Sequence, residues 1–375
     1  MTFITGVGTS LFGKQPEIPL SALVESAVIE AIEDSGTSEF DAVYFGSVYG
    51  EMGVAQRTLH RLGIHGIPVV RVENACASAT TAFAEAHAAV QFGRYRRVLA
   101  VGAEHMTSRF DGPIEPGFED DEARAGLPLP GIYSLAASRY QSVHGLSDDQ
   151  LASVAVKNRG NGAHNDRAQR RQPVTIDEVK TSRMICDPLT LLQCSPISDG
   201  AAAAVLEDSS GGSREIEIKS SVLRSGGIRD QRSDRVWGFD LVAQTARAAF
   251  AEAGIEGSRS VDVYELHDAF TIGEIVTIEA LGLAPLGEGG KYVESGAADI
   301  HGETPVNPSG GLISRGHPIG ATGIAQIAEI VWQLRGEAGS RQVPGARLGV
   351  VETMGGGVSG VDGNACVVTV LGSAA

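Results

Sequence analysis

Apolar and polar positions alternate along the chain in a way that predicts strands and helices in turn. A cluster of apolar residues predicts a short strand over 3–8, and apolar positions that recur every three or four residues predict a helix over about 20–35. A buried strand is predicted next, over 41–46. Strand, helix and strand in alternation indicate a mostly parallel sheet that is covered by helices.

The order of elements repeats in the second part of the chain, which indicates an internal duplication. The helices 77–93 and 321–336, one from each copy, are each predicted to end at a C-cap glycine, Gly93 and Gly336. The matched pairs are the helices 20–35 and 241–253, the strands 41–46 and 261–266, the helices 77–93 and 321–336, and the strands 97–102 and 347–352.

A segment of different character interrupts the first half over about 110–196. It is more charged, contains the stretch Leu127-Pro128-Leu129-Pro130, and predicts two helices, over 132–144 and 148–160. The apolar run 198–206 then resumes the earlier pattern. An insertion of this length is more often functional than connective, so we expect it to contribute to a binding site.

Composition and charge exclude several classes of function. The chain of 375 residues can bury a large core, and its formal charge of −16 argues against a general nucleic-acid or anionic-membrane surface. Because the sequence has no long apolar run, leader-like start or C-x-x-C spacing, we expect a cytoplasmic protein with no membrane span, metal site or disulfide scaffold.

Three of the four cysteines, Cys186, Cys194 and Cys366, are interpreted as packing residues. The cationic segment 157–171 suggests either a site for a phosphate-bearing ligand or, preferably, a solvated helix face.

Cys76 is the first candidate for chemistry, because it directly precedes the predicted helix 77–93. Unpaired backbone N–H groups and the helix dipole at a helix start favour a thiolate over a thiol. A buried packing cysteine is the plainer alternative. The matched loop of the second half, 307–320, contains His317 ahead of the helix 321–336. If a pseudo-twofold axis relates the halves, His317 approaches Cys76 and can act as its base.

Two further segments follow strands at the same predicted edge, where open α/β sheets bind ligands. His267 follows the strand 261–266, and Gly355 begins a run of glycines after the strand 347–352. Consecutive glycines allow a backbone N–H to approach a reacting carbonyl, as an oxyanion hole requires. The G-x-G-x-x-G spacing from Gly355 does not indicate a dinucleotide site, because the strand 365–371 follows instead of a helix.

Several ordered blocks of the sequence resemble the signature blocks of the thiolase superfamily. They are Asn74-Ala75-Cys76-Ala77-Ser78, Val101-Gly102-Ala103-Glu104-His105-Met106-Thr107, Ser195-Pro196-Ile197-Ser198-Asp199-Gly200-Ala201-Ala202, His267-Asp268-Ala269-Phe270, Asn307-Pro308-Ser309-Gly310-Gly311 and Gly316-His317-Pro318. The resemblance extends over nearly the whole chain. The His-Asp-Ala-Phe form is similar to the sterol-carrier-protein-type and archaeal lipid-transfer branch.

The resemblance implies an α/β fold of two duplicated halves, each with a mixed five-stranded sheet, stacked in five α-β-α-β-α layers with an inserted loop domain. The first half would comprise 1–110 plus 197–212, the loop domain 111–196 and the second half 213–375. The loop domain would hold coenzyme A and shape the acyl pocket, through residues that the sequence does not identify. A homodimer is implied, and some members of this branch work with a small zinc-ribbon and OB-fold partner.

The resemblance also implies roles for individual residues. Cys76 would carry the acyl group as a thioester, and His317 would accept the thiol proton. His317 and a water held by His267 would polarise the thioester oxygen, and the N–H groups of Cys76 and Gly355 would form a second oxyanion hole. A coenzyme A thioester would be the substrate, with no permanently bound cofactor.

Two positions depart from the thiolase pattern. Thr353 stands where a Cys-x-Gly block places a second cysteine, and Ala269 stands where a His-Asp-Cys-Phe block would supply one. A threonine hydroxyl is a far weaker acid than a thiol, whose pKa is about 8.5. Three functions stay open, in this order: a thiolase of lipid or steroid side-chain metabolism that uses Cys76, His267 and His317; a retro-aldolase that cleaves a 3-hydroxyacyl-CoA; and a non-catalytic acyl-CoA binder.

Overall fold

The computed structural model describes residues 1–112, 114, 120–208, 212–357 and 360–373, so parts of the predicted insertion and of the boundary near 212 lie outside the described residues. The strands are β1 (Phe3–Thr9), β2 (Ala42–Gly46), β3 (Val69–Val72), β4 (Arg97–His105), β5 (Met184–Cys186), β6 (Leu189–Thr190), β7 (Asp199–Glu207), β8 (Ile216–Arg224), β9 (Val263–Glu265), β10 (Leu348–Gly355) and β11 (Ala365–Ser373). The helices are α1 (Leu20–Ser35), α2 (Val54–Arg61), α3 (Ser78–Gln91), α4 (Asp121–Arg124), α5 (Leu129–His144), α6 (Asp148–Gly162), α7 (Ile176–Thr181), α8 (Phe239–Ala253), α9 (Thr271–Ala280), α10 (Gly289–Glu294), α11 (Gly311–Arg315) and α12 (Thr322–Arg335).

Nine of these strands form one continuous sheet, in the order β3-β2-β4-β7-β1-β8-β11-β10-β9. The first five supply the mixed sheet that was predicted for the first half, and β1 continues into β8 through a short antiparallel contact. Among the described residues, the second half has four strands and a single parallel bridge between Tyr264 and Val306 in the fifth position. That bridge does not lengthen into a strand, because Asn307 turns the chain with a φ of 55°.

The helices divide the molecule into five layers, as predicted. α1 packs on β1 and β7, α8 packs on β8 and β11, and α3 and α12 contact each other between the two parts of the sheet. Every residue of α12 from Thr322 to Val331 is buried, because strands or helices cover this helix on all sides. The two central helices therefore bring their N-terminal ends, one from each half, to the same region.

The ends of the central helices differ slightly from the prediction. Gly336 caps α12 with a φ of 74°, but α3 ends at Gln91 with Phe92 as its C-cap, and Gly93 follows one residue later. α3 also begins at Ser78, two residues after Cys76. Cys76 therefore lies in a turn ahead of the helix and not in its first turn.

The insertion contributes α5 and α6, close to where the sequence predicts two helices. α6 begins with a capping box, in which Ser147 and Gln150 exchange side-chain to backbone hydrogen bonds. It packs on α9, α10 and α11, and α5 packs on α9, so the insertion covers the second half near the predicted site loops. In the described part of the chain, no helix has both the length and the apolar character needed to cross a membrane.

Candidate active site

Cys76 and His317 form the centre of the site, although 241 positions separate them in the sequence. The Cys76 Sγ lies 3.3 Å from Nε2 of His317, and both residues are buried. On the other side of the ring, Nδ1 lies 2.8 Å from the hydroxyl of Thr322, which donates its own proton to the carbonyl of Pro318 at 3.0 Å. Thr322 can therefore only accept from Nδ1–H, and this leaves the lone pair of Nε2 facing the thiol.

The resting pair is a neutral thiol beside a neutral imidazole. Burial raises the pKa of Cys76 to about 11, against the smaller opposing effects of the N–H groups of Gly356 and of Cys76 itself. Burial, followed by the neighbouring His267, lowers the pKa of His317 well below its ordinary value. The predicted thiolate is therefore wrong for the resting state, because desolvation outweighs the donors at this position.

The turn that holds Cys76 is stabilised by local hydrogen bonds. Ala75 has a φ of 48°, which is unusual for a residue with a side chain. The Ser78 hydroxyl accepts from the N–H of Asn74 at 2.8 Å and donates to the Ala75 carbonyl at 2.6 Å. A Cβ on Gly355 would lie 2.3 Å from the Asn74 carbonyl oxygen, so only glycine allows β10 to approach this turn.

The backbone donor that faces Cys76 comes from Gly356, one residue beyond the predicted Gly355. Its N–H and that of Cys76 itself lie near enough to the Cys76 sulfur to lower the pKa of the thiol. The glycine run was the only signal in the sequence, and it does not say which of its N–H groups points inward. An oxyanion-hole role for Gly355 stays a prediction, whereas the structure adds Gly356 to the donors beside the nucleophile.

His267 completes a cluster of three reactive side chains. Its ring lies edge-on to that of His317, with the centroids 5.1 Å apart, and its two nitrogens are buried without a hydrogen-bond partner among the described residues. Its backbone N–H donates to Glu352 Oε2 at 3.0 Å, which holds the main chain in place. Burial lowers the pKa of His267 to about 3, so the ring is neutral near pH 7 and is a weak base.

The same cluster has the donor atoms of a transition-metal site. One ligand atom from each of Cys76, His267 and His317 lies within 4.8 Å of the others. A thiolate and two imidazoles are ligands that Zn²⁺ accepts, with a fourth position left open. A metal bound here would occupy the nucleophile itself, so it would inhibit chemistry at Cys76. The expectation that the protein needs no metal stays a prediction.

A buried polar network connects the block that contains His267 to the insertion. Asp268 accepts from the N–H groups of Leu312, at 2.7 Å, and Ile313, at 3.3 Å, at the start of α11. The side-chain amide of Asn158, in α6, donates to both Asp268 and Glu274 at 2.7 Å. Burial and the neighbouring Glu274 raise the pKa of Asp268 well above its ordinary value. These bonds hold the loops on either side of the catalytic cluster in register.

The Asn-Pro-Ser-Gly-Gly block belongs to the same network. Asn307 Oδ1 accepts from the N–H of Leu266 at 2.7 Å, and its amide donates to Glu274 at 2.7 Å. Ser309 donates through its hydroxyl to Glu265 at 2.7 Å. These conspicuous polar residues therefore act by positioning the loops, a role that the sequence did not indicate.

The cationic segment 157–171 does not form a solvated helix face. Lys157 is buried, 3.1 Å from Glu274, and Arg167 binds Glu30 through two hydrogen bonds. Arg171 pairs with Asp166 at the surface, whereas Arg170 lines a cavity beside Cys76. The segment therefore has four different environments, because the chain leaves the helix at Gly162 and turns through the core.

That cavity opens directly onto the reactive pair. It has a volume of about 500 Å³, and Cys76, His317 and Ala269 form part of its wall. The volume is in the range of small-molecule sites. Its apolar lining includes Met106, Phe110, Ile185, Leu191, Phe270 and Ile319, and its cations are Lys14, Arg170 and Arg183.

The two positions that depart from the thiolase pattern have different surroundings. Ala269 faces the cavity but offers only a methyl group. Thr353 is fully buried, and its hydroxyl donates to Gln326 in α12 at 2.8 Å. Cys194 also lies in the cavity wall, where its thiol donates to the Thr190 carbonyl and burial raises its pKa to about 12. It is therefore a bound, neutral thiol, as a packing role requires.

Two family models match consecutive parts of this chain. The model described as "Thiolase, N-terminal domain" matches residues 2–210, and the model described as "Thiolase C-terminal domain-like" matches residues 229–369.

Several other proteins are similar to this chain over most of its length. An acetyl-CoA acetyltransferase of Methanothermobacter thermautotrophicus is 40% identical over 94% of this chain and 96% of its own length. Sterol carrier protein 2 of Bos taurus is 37% identical over 94% of this chain and 70% of its own length. Among solved structures, the "Ltp2-ChsH2(DUF35) aldolase" has the same fold, with a TM-score of 0.85 at 24% identity over 99% of this chain and 97% of that one. The two family models and these relatives together show that the chain belongs to the thiolase family.

Proposed function

We propose that this protein is an acyl-CoA C-acyltransferase that carries the acyl group of a 3-ketoacyl-CoA or acyl-CoA on Cys76. The observation that supports this most directly is the 3.3 Å contact between the Cys76 thiol and an unprotonated Nε2 of His317. A thiol beside a base whose tautomer is set by a third group is the arrangement that nucleophilic catalysis requires. The cavity beside this pair provides the space for an acyl group.

In the first step, the Cys76 sulfur attacks a substrate carbonyl while its proton passes to Nε2 of His317. Because both groups are neutral at rest, the transfer coincides with the attack and does not precede it. With a 3-ketoacyl-CoA, the bond between C2 and C3 breaks, the acyl group that begins at C3 stays on sulfur, and the CoA thioester that retains C1 and C2 leaves as an enolate, which takes the proton from His317. With an acyl-CoA, the bond between the carbonyl carbon and the sulfur of coenzyme A breaks, and coenzyme A leaves as a thiol with the same proton.

Oxygen charge that develops during attack needs donors on two sides of the site. The N–H groups of Cys76 and Gly356 face the sulfur, where the carbonyl of a Cys76 thioester would also lie. His267 has two buried ring nitrogens without a partner in the described part of the chain, so it can hold a water or a carbonyl oxygen next to His317. We assign the first pair to the acyl-enzyme and the histidines to the bound thioester.

A retro-aldolase that cleaves a 3-hydroxyacyl-CoA is the second candidate. It is favoured by Thr353, whose hydroxyl is bound to Gln326, and by Ala269, which has no ionisable group. His267, with a pKa of about 3, is a weak base for moving a proton at the α-carbon. Proton transfer to and from carbon, and not acylation, is therefore the step that separates the two functions.

One experiment tests the acyl transfer directly. Short and long acyl-CoA donors should add an acyl mass to the peptide that contains Cys76, and Cys76→Ala should abolish the addition. An unmodified Cys76 after exposure to all donors would overturn the proposal.

A second experiment separates the two enzymes. The wild type receives a 3-ketoacyl-CoA with free coenzyme A, or a 3-hydroxyacyl-CoA without it. Release of a ketone or aldehyde from the second substrate would identify an aldolase, and a shift in melting temperature without turnover would identify a binder.

We further propose that coenzyme A enters past the exposed Lys14 and Arg183, whose charges suit its phosphates. A homodimer is consistent with β3, an edge strand on which Val70 is 43% exposed. The name of the Ltp2-ChsH2(DUF35) structure includes a second component, which is consistent with a partner protein for this chain as well; the zinc-ribbon and OB-fold form of that partner rests on the family resemblance alone. Light scattering tests the dimer, and co-purification with the products of neighbouring genes tests the partner.

A further inference from the structure

Arg170 stands out in the wall of the cavity beside Cys76, because the other two cations there, Lys14 and Arg183, are exposed whereas Arg170 is half-buried. The residue is half-buried, and its Nη1 is fully buried without a hydrogen-bond partner among the described residues. That nitrogen loses hydration without gaining a partner among the described residues. The site is therefore incomplete as it stands.

Hydrogen bonds connect the backbone of Arg170 to the loop that leads to His317. Its N–H donates to the Ser314 carbonyl at 2.9 Å, and the Ser314 hydroxyl donates to the Arg170 carbonyl. Ser314 is three residues before His317. The Arg170 charge also acts on Cys194, whose backbone bridges to Phe270 in the block that contains His267. Two active-site segments therefore adjoin this arginine.

A second arginine adds to the excess of positive charge. Arg159, in α6, is 6% exposed, and its Nε is buried without a partner among the described residues. Burial and the adjacent Arg159 both lower the pKa of Arg170. Glu178 faces Arg159 from α7, but it accepts hydrogen bonds from the N–H and hydroxyl of Thr175 in a capping box. In the described part of the chain, no carboxylate forms an ion pair with either arginine.

We infer that Arg170, with Arg159 behind it, binds a carboxylate carried by the acyl group, so that the substrates are acyl-CoA thioesters of dicarboxylic acids. This inference rests on the proposed function, because it assumes that the acyl group lies in the cavity beside Cys76. A planar guanidinium binds a carboxylate through two parallel hydrogen bonds, and the apolar wall suits the methylene groups between the two ends. The phosphates of coenzyme A are also anions, but the exposed Arg183 is available to them, as is Lys14, whose pairing with the exposed Asp111 at 3.9 Å is weak.

The test compares glutaryl-CoA with pentanoyl-CoA, two ligands with equal acyl chain length that differ in the terminal carboxylate. Binding is measured by titration calorimetry in a Cys76→Ala background, so that the result does not depend on acyl transfer. We expect glutaryl-CoA to bind about 10- to 100-fold more tightly than pentanoyl-CoA, because a hydrogen bond to a charged group increases affinity by about this factor. Arg170→Gln should remove this preference, and Arg170→Lys should retain part of it.

Arg171→Gln is the matched control, because Arg171 is an adjacent cation that pairs with Asp166 at the surface. It should leave the preference for glutaryl-CoA unchanged. Dephospho forms of both ligands separate the carboxylate from the 3′-phosphate. Equal affinities for glutaryl-CoA and pentanoyl-CoA overturn the inference. It is also overturned if Arg170→Gln weakens both ligands equally and the dephospho forms do not respond, since Arg170 would then bind a phosphate. If Arg170→Gln does not fold, Arg170→Lys takes its place, and the inference is overturned if either variant retains the full wild-type preference for glutaryl-CoA.

Discussion

Thr322→Val tests whether the His317 tautomer is set by the fold. Valine has nearly the shape of threonine, and residue 322 is fully buried, so the substitution removes mainly the acceptor 2.8 Å from Nδ1. A buried N–H without a partner costs about 1–3 kcal/mol. The imidazole can avoid this cost by moving its proton to Nε2, where it can no longer accept from Cys76. Because about 1.36 kcal/mol corresponds to a tenfold change in rate, acylation of Cys76 should slow by about 5- to 150-fold.

The assay is rapid mixing with an acyl-CoA, acid quench and intact-protein mass spectrometry, which times the first covalent step alone. Thr322→Ser is the control, because it keeps the hydroxyl and should react within a few-fold of the wild type. Thermal unfolding of both variants separates a loss of stability from a loss of orientation. The reasoning is refuted if Thr322→Val acylates as fast as Thr322→Ser.

Three further predictions follow from the surroundings of the site. Alkylation of Cys76 by iodoacetamide should accelerate with pH up to about 11, because burial raises its pKa from the ordinary 9.0. Since the folded state binds this proton more tightly than the unfolded state does, the contribution of Cys76 to stability is present below pH 9 and is lost as the pH rises from 9 to 11. Micromolar Zn²⁺ should inhibit acylation reversibly through the three-residue cluster, and His267→Ala should weaken this inhibition by about tenfold or more. Lys157→Met should lower the free energy of unfolding by about 3–5 kcal/mol, because it leaves Glu274 buried without its cation.

Each of these predictions has an outcome that contradicts it. An alkylation profile with its midpoint near pH 7 would indicate a thiolate at rest. Zinc inhibition that His267→Ala leaves unchanged would place the metal elsewhere, and chelation by EDTA is the control for reversibility. Lys157 is compared with Lys180, a surface cation that pairs with Asp149, and Lys180→Met should leave the free energy of unfolding in denaturant nearly unchanged.

The pairing of Cys76 with His317 could be predicted because the chain contains two copies of one fold. In a duplicated fold, matched loops occupy matched places, so two residues 241 positions apart can be related without any contact information. The surroundings of that pair could not be predicted in the same way. Asn158 and Asp268, for example, are 110 positions apart. Asn158 lies in the insertion and Asp268 in the second half, so the duplication does not relate their positions.

The cationic segment illustrates the same limit. Charge spacing alone favoured a solvated face, yet Lys157 and Arg170 are directed inward and Arg171 outward. A helix face is solvated only where nothing packs on it, and α6 packs on four other helices, α7, α9, α10 and α11. The environment of each cation was therefore set by neighbours that are distant in sequence.

Periodicity, glycine positions and motif order are local properties of the chain. From these properties, the sequence alone determined the two α/β halves, the insertion and the three reactive residues. Burial is a property of all the segments around a group, so the tertiary structure decided the protonation of Cys76 and His317, the inward N–H of Gly356 and the unpaired charge of Arg170. It also reduced the fifth strand of the second half to one bridge, because Asn307 turns away to contact Leu266 and Glu274. Both kinds of information meet at Cys76, whose position follows from the sequence and whose reactivity follows from the surrounding fold.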